Sequence, residues 1–160
     1  MKFREEYKLI FPHNPDIIVI QECEDLNTIN FDLFSNIPSD IYWIGENPKK
    51  GLGVIAFNDF KISLCKDYNN NFKYVLPLII ERNNSIFHLI GVWTQKVGEK
   101  KKDHINYIRQ FKLSLNEYDD FLNVSNVIIC GDFNSNLLWK KKRGIVTDHD
   151  HKYVVEELEN

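Results

Sequence analysis

Glu22 and Asp132 each stand where an apolar run gives way to polar residues. "DIIVI" runs into Gln21 and Glu22, and "NVIIC" runs into Gly131, Asp132 and Asn134. Carboxylates at the exits of apolar strands lie at a sheet rim, where partial burial makes their charge costly unless something compensates it. If the two runs are neighbours, Glu22 and Asp132 repel each other unless a cation or a proton intervenes. Oxygen donors of this kind suit magnesium or manganese, which keep several waters and take one or two protein carboxylates. Gly131 permits a sharp turn, and Asn134 carries an amide that both donates and accepts. A local reading competes with this one. Gly-Asp turns after strands are common, and Asp and Asn favour turns through bonds to nearby backbone. Residue type and spacing leave both readings open.

Periodicity predicts the elements that must position these groups. Phe3, Tyr7 and Ile10 form a helical stripe in "FREEYKLIF", which Pro12 and Pro15 end. "DIIVIQE" reads as a short strand buried on both faces. "YWIGE", "LGVIAF", "KISLC", "KYVLPLII" and "SIFHLIGVW" follow, separated by Pro, Gly and Asn signals, as in a run of mostly antiparallel strands. Asn69 to Asn71 read as a loop between two of them. A long helix is predicted from Asp103 to about Leu122, with Ile108, Phe111, Leu115, Tyr118 and Leu122 on its core face. The strand "NVIIC", the motif loop and a last helical pattern in "KYVVEELEN" complete the order. This is an α+β arrangement, a sheet core covered by helices.

At 160 residues the chain is long enough for one domain with a real core. Its 43% hydrophobic and 27% charged residues exclude a disordered tail. The longest apolar runs, such as "VLPLII", are far too short for a membrane-spanning helix. Charges in "MKFREEYKLI" stand where an export signal needs its apolar region. Cys23, Cys65 and Cys130 form no C-x-x-C pair, and the expectation is reduced thiols in a cytoplasmic protein. A net charge of −3 argues against a uniformly basic nucleic-acid coat. Basic residues still cluster at Lys49–Lys50, Lys100–Lys102 and Lys140–Arg143, each of which reads on its own as a solvated loop. His88 falls inside a strand and reads as a packed histidine. His149 and His151, in "TDHDH", read as a helix start with Asp caps rather than as metal ligands. Trp43 and Trp93 read as core or rim packing, and Trp139, beside "KKKR", is the candidate for stacking on a base.

With "DIIVIQECED", "KGLGVIAF", "HLIGVWTQ" and "VIICGDFNSN" in that order, the chain resembles the endonuclease/exonuclease/phosphatase superfamily from Phe3 to Leu158. That superfamily includes deoxyribonucleases, apurinic endonucleases, and phosphoinositide and sphingomyelin phosphoesterases. The resemblance implies a four-layer αββα sandwich of two mixed β-sheets flanked by helices, as a single partial domain over residues 1–160. It implies metal-dependent phosphodiester hydrolysis with magnesium or manganese, foremost on DNA or RNA. Glu22 would be the metal-ligand glutamate. Asp132 would orient or deprotonate the attacking water, and Asn134 would hold the scissile phosphate or the nucleophile. For a nucleic-acid substrate, the loops at Lys49–Lys50 and Lys140–Arg143 could track a phosphate backbone, with Lys141 in the second of them. His151 could face the phosphate. Neither a membrane nor an obligate protein partner is implied.

At Trp93 to Gln95 the chain departs from the pattern. Many relatives place a Tyr or His there, and "WTQ" matches neither, so no role is carried over. Relatives also have a strand ending in a "W-N-x-N"-like motif before the first helix and an "S-D-H" beyond the last. Neither occurs here, and the expectation is a fragment with little activity alone. The alternatives are a lipid or small-molecule phosphoesterase on the same fold, and a catalytically silent remnant or binding module.

Overall fold

Strands with near-continuous apolar runs, buried on both faces, build the centre of the molecule. A computed structural model describes residues 3–95, 107–124, 126–135 and 148–159. Strand β1 (Ile17–Cys23) and strand β2 (Asp40–Asn47) pair antiparallel with opposite sides of β3 (Lys50–Ala56). A second sheet runs in the order β4 (Lys61–Leu64), β5 (Val75–Arg82), β6 (Ser85–Trp93) and β7 (Val127–Asp132). Its first three strands are antiparallel neighbours, whereas β7 lies parallel to β6. Leu52, Val54 and Ala56 of β3 meet Leu76, Leu78 and Ile80 of β5 and Leu89 of β6 between the sheets. Burying a side chain of the Leu, Val or Ile type there contributes about 1.5–3 kcal/mol.

Helices cover both outer faces. The stripe of α1 (Phe3–Ile10) brings Phe3 and the following Phe11 onto Ile18, Ile20 and Ile55 of the first sheet. On the other side, α2 (Ile108–Glu117), α3 (Asp119–Leu122) and α4 (Asp148–Glu159) cover the second sheet. There Phe111, Leu115 and Val154 pack on Val75, Ile90 and Val92. The layers run helix, sheet, sheet, helix, as the resemblance implied.

Several local expectations change. Only the second sheet is mixed; the β1–β3–β2 sheet is antiparallel throughout. Burial of β1 on both faces holds for one: Ile18 and Ile20 lie under α1, but Ile17 and Val19 line an open cleft of about 580 Å³ with Leu89, Ile128 and Cys130. The reason is position, since β1 and β7 are the outermost strands of their sheets on the same side, and Ile128 remains 49% exposed. At the opposite edge the Ile62 N–H donates to Asp40 Oδ2 at 2.9 Å, tying the sheets together. The long helix is interrupted at Tyr118, although its stripe packs as predicted, and residues 103–106 lie outside the described residues. The strand of "NVIIC" continues through Gly131, so Asp132 is its last residue rather than part of a loop. Helix α4 starts at Asp148 and takes in "DHDH" as its first turn. No helix of the described residues is long and apolar enough to cross a membrane.

Two residues at one rim hold conformations that most side chains avoid. In β1, Gln21 pairs with Leu52 and Cys23 with Gly51, so Glu22 is an extra residue in a bulge, with φ 57°. A bulge re-aims its side chain. Left-handed backbone at a residue with a Cβ costs about 1–2 kcal/mol. Gly131 has φ 143°, and a Cβ there would collide with the Val92 carbonyl. Glu22→Gly and Glu22→Ala both lose the carboxylate, but glycine also sheds the backbone cost. The glycine variant is therefore expected to be about 1 kcal/mol more stable than the alanine variant in urea unfolding. Equal midpoints would show that the bulge is not strained. Gly131→Ala is expected to lose about 3 kcal/mol or more, and an unchanged melting temperature would contradict the collision.

Candidate active site

Strand direction brings the acidic positions together. Because β1 and β3 are antiparallel, Glu22 near the end of β1 lies beside Lys50 at the start of β3. Because β6 and β7 are parallel, their ends coincide, and the register sets Asp132 opposite Trp93. Lys50 joins the two pairs. Its Nζ lies 3.0 Å from Glu22 Oε1 and 5.3 Å from the centroid of a Trp93 ring. Glu22 and Asp132 therefore belong to one rim of the sandwich. Both side chains of the Glu22–Lys50 pair are about half exposed, so water screens it and its worth is at most about 1 kcal/mol. The Glu22 carboxylate can exchange that ammonium for another cation at small cost.

Asp132 is held by a clamp centred on Thr94, which is fully buried. The Thr94 N–H donates to Asp132 O at 3.0 Å, and its hydroxyl donates to Phe133 O at 2.5 Å. Its carbonyl accepts from Asn134 Nδ2 at 2.8 Å. Asn134 closes on the acid itself: Nδ2 donates to Asp132 Oδ2 and the backbone N–H to Oδ1, both at 2.9 Å. Asn134 reaches this position with φ 45°, a conformation asparagine tolerates better than most residues. Both oxygens of an exposed carboxylate are thus fixed in direction while retaining lone pairs for a water or a cation. Phe133 anchors the segment from below, edge-on to Phe111 at 5.1 Å. Ser135 Oγ lies 2.6 Å from His151 Nδ1, which ties the first turn of α4 to the same loop. Lys112 and Asp150, 2.9 Å apart, fasten α4 to α2.

Oxygen donors set the chemistry of this rim. Burial, assisted by Glu24, pushes the Cys23 thiol up to about 11, and burial also raises the Cys130 thiol. Neither supplies a thiolate near neutral pH, and all three cysteines are free. The Glu22 and Asp132 carboxylates and the Asn134 amide are hard donors of the kind magnesium and manganese accept. Among the described residues no three of His, Cys, Asp or Glu gather into a cage. An ion that takes one or two carboxylates and completes its shell with water needs no such cage.

Of the residues singled out in the sequence, Glu22, Asp132 and Asn134 come to one rim, and His151 reaches their loop through Ser135. Trp139 and Lys141 lie outside the described residues, as does the side chain of His149. His88 packs as expected, stacked on Phe121 at 4.2 Å with Nδ1 3.0 Å from Phe121 O. The sequence reading named Lys50 only together with Lys49, as a basic loop that could track a phosphate backbone, and gave Thr94 no role. Lys50 meets Glu22 across a ladder between distant segments, and nothing in "PKK" sets it apart from Lys49. Thr94 works through its backbone and a small hydroxyl, and the signal available was a polar residue directly after an apolar strand. Beside it, Gln95 Nε2 is a buried donor without a partner among the described residues.

No family model and no curated protein matches the sequence. Among solved structures, the chain is similar to the endonuclease domain of TRAS1, a telomere-specific non-LTR retrotransposon, with a TM-score of 0.60 at 12% identity. The likeness covers 98% of this chain and 63% of that one, so the chain spans less than two thirds of the matched domain's length. The likeness is one of architecture: this chain, with its helix, sheet, sheet, helix layers, shares the fold of that endonuclease domain.

Proposed function

We propose that the chain is a nuclease-type phosphodiester hydrolase that uses magnesium or manganese and acts on DNA or RNA. One observation carries the reading: Glu22 and Asp132, from opposite ends of the sequence, share a rim, with both Asp132 oxygens oriented by Asn134. The likeness to an endonuclease domain supports nucleic acid as the substrate. Glu22 would be the principal ligand of the ion, with waters beside it. When bound, the ion would neutralise charge on the phosphoryl oxygens. Asp132 takes the proton of the attacking water, a role that needs an accessible carboxylate aimed by its neighbours. Asn134 keeps that carboxylate in its rotamer; with both Nδ2 hydrogens spent on Thr94 O and Asp132 Oδ2, its Oδ1 is left to accept from the attacking water. His151, steadied by Ser135, faces the phosphate, while Trp139 and Lys141 contact neighbouring bases and phosphates. The cytoplasm is the compartment proposed for this activity.

A second reading is a binding module on the same fold. Catalytic groups in such sites act as a unit, so a site that is not fully assembled binds nucleic acid and cuts slowly or not at all.

Nicking of supercoiled plasmid under enzyme excess separates these readings. Magnesium-dependent nicking is expected from the wild-type chain, and Asp132→Ala is expected to slow it by about 10²-fold or more. Undiminished cleavage in that variant would remove Asp132 from the mechanism. Binding of plasmid without cleavage, in magnesium and in manganese, would establish the binding module instead.

A further inference from the structure

The Lys50 ammonium lies at the rim beside Glu22. It is held at 3.0 Å by Glu22 Oε1 and lies 5.3 Å from the centroid of a Trp93 ring, and Trp93 is the register partner of Asp132. A cation so placed lies beside the group assigned to the ion and near the strand neighbour of the group assigned to the water. A phosphodiester attacked by that water must put its non-bridging oxygens in the same space. We propose that Lys50 is a substrate-contacting residue whose ammonium binds a non-bridging oxygen of the scissile phosphodiester; this rests on the hydrolase reading above.

Three features support that role over a plain surface ion pair. The side chain is half exposed, so a solute can reach it, and Glu22 is its ion-pair partner among the described residues. An ammonium has three donors, and one bond to Glu22 leaves two for a phosphate. Its base is also fixed. Lys50 opens β3 directly after the Pro48–Lys49 turn, where the Asp25 N–H donates to Pro48 O at 2.7 Å and the Lys49 N–H donates to Asn47 Oδ1 at 2.9 Å. The hairpin tip is thereby tied to the segment that follows Glu22, so the lysine and the glutamate keep their relative positions. When Glu22 takes a divalent ion, its hold on the ammonium weakens, and the freed charge is already beside the phosphate.

The test measures binding apart from turnover. Asp132→Ala serves as the background, and fluorescence anisotropy follows a labelled twelve-nucleotide duplex with magnesium over a range of salt. Adding Lys50→Gln is expected to weaken binding about tenfold or more, the loss of one charge-assisted bond. The slope of log affinity against log salt is expected to shrink by about 0.9, one phosphate contact. Lys61→Gln, at the far end of the second sheet opposite Glu81, removes the same charge away from the rim and is expected to change affinity less than about twofold. Equal effects of the two substitutions, an unchanged affinity in the Lys50 variant, or no binding by the background protein would each overturn the proposal. Retained nicking by Asp132→Ala would instead strike the hydrolase mechanism, and the comparison of Lys50 with Lys61 would still be read from the same titrations.

Discussion

The parallel pairing of β6 with β7 is the constraint on which the candidate site depends. Parallel neighbours end together, so Asp132 arrives beside Trp93 and Thr94 without any loop having to carry it there. Thr94 then converts proximity into position. Its N–H, hydroxyl and carbonyl each take one bond to the segment from Asp132 to Asn134. A buried threonine in this role has no polar atom to spare, and loss of its hydroxyl would strip Phe133 O of that bond. Such unmade bonds cost about 1–3 kcal/mol. The outer core beneath, with Phe133 against Phe111, keeps the clamp from rocking.

Three positive-φ residues, Glu22, Gly131 and Asn134, lie at the same rim. Asn14, Asn58, Asp59, Asn83 and Asn126 also have positive φ, but their short polar side chains suit that conformation, and Tyr107 stands at the start of α2. Glu22 is different, because a long acidic side chain in the left-handed region has no local reason to be there. The bulge turns it out of the ladder, and the core between the sheets offsets the cost. Gly131 and Asn134 show the same pattern on β7, one by having no Cβ and one by bonding its own loop. Strain that clusters where oxygen donors converge, and is supported by rigid sheets, is what a site needing fixed geometry requires.

Much of this was legible in the sequence because the responsible signals are local. The stripe from Ile108 to Tyr118 reflects burial of one helix face, and the near-continuous apolar runs of β3, β5 and β6 reflect strands buried on both faces, which the sequence pattern reports directly. The polar exits of β1 and β7 singled out Glu22, Asp132 and Asn134 as candidates, and the resemblance supplied the roles expected of them. What escaped depends on relations between distant segments. The open face of β1 follows from its place at the edge of a sheet, which a strand's own residues do not encode. Lys50 gains its meaning from the antiparallel ladder to β1, and Thr94 from the parallel ladder to β7. The break at Tyr118 was hidden because the apolar stripe continues through it, with the Tyr118 hydroxyl accepting the Asn69 N–H at 3.2 Å.

The central claim is that Glu22 and Asp132 serve a single divalent ion, and manganese makes it directly visible. Anomalous scattering from crystals of the protein soaked in manganese should give a peak at the rim, within coordinating distance of a Glu22 oxygen and bounded on its far side by Asp132. A peak elsewhere, or none at that rim while Glu22 keeps Lys50 as its cation, would contradict the account.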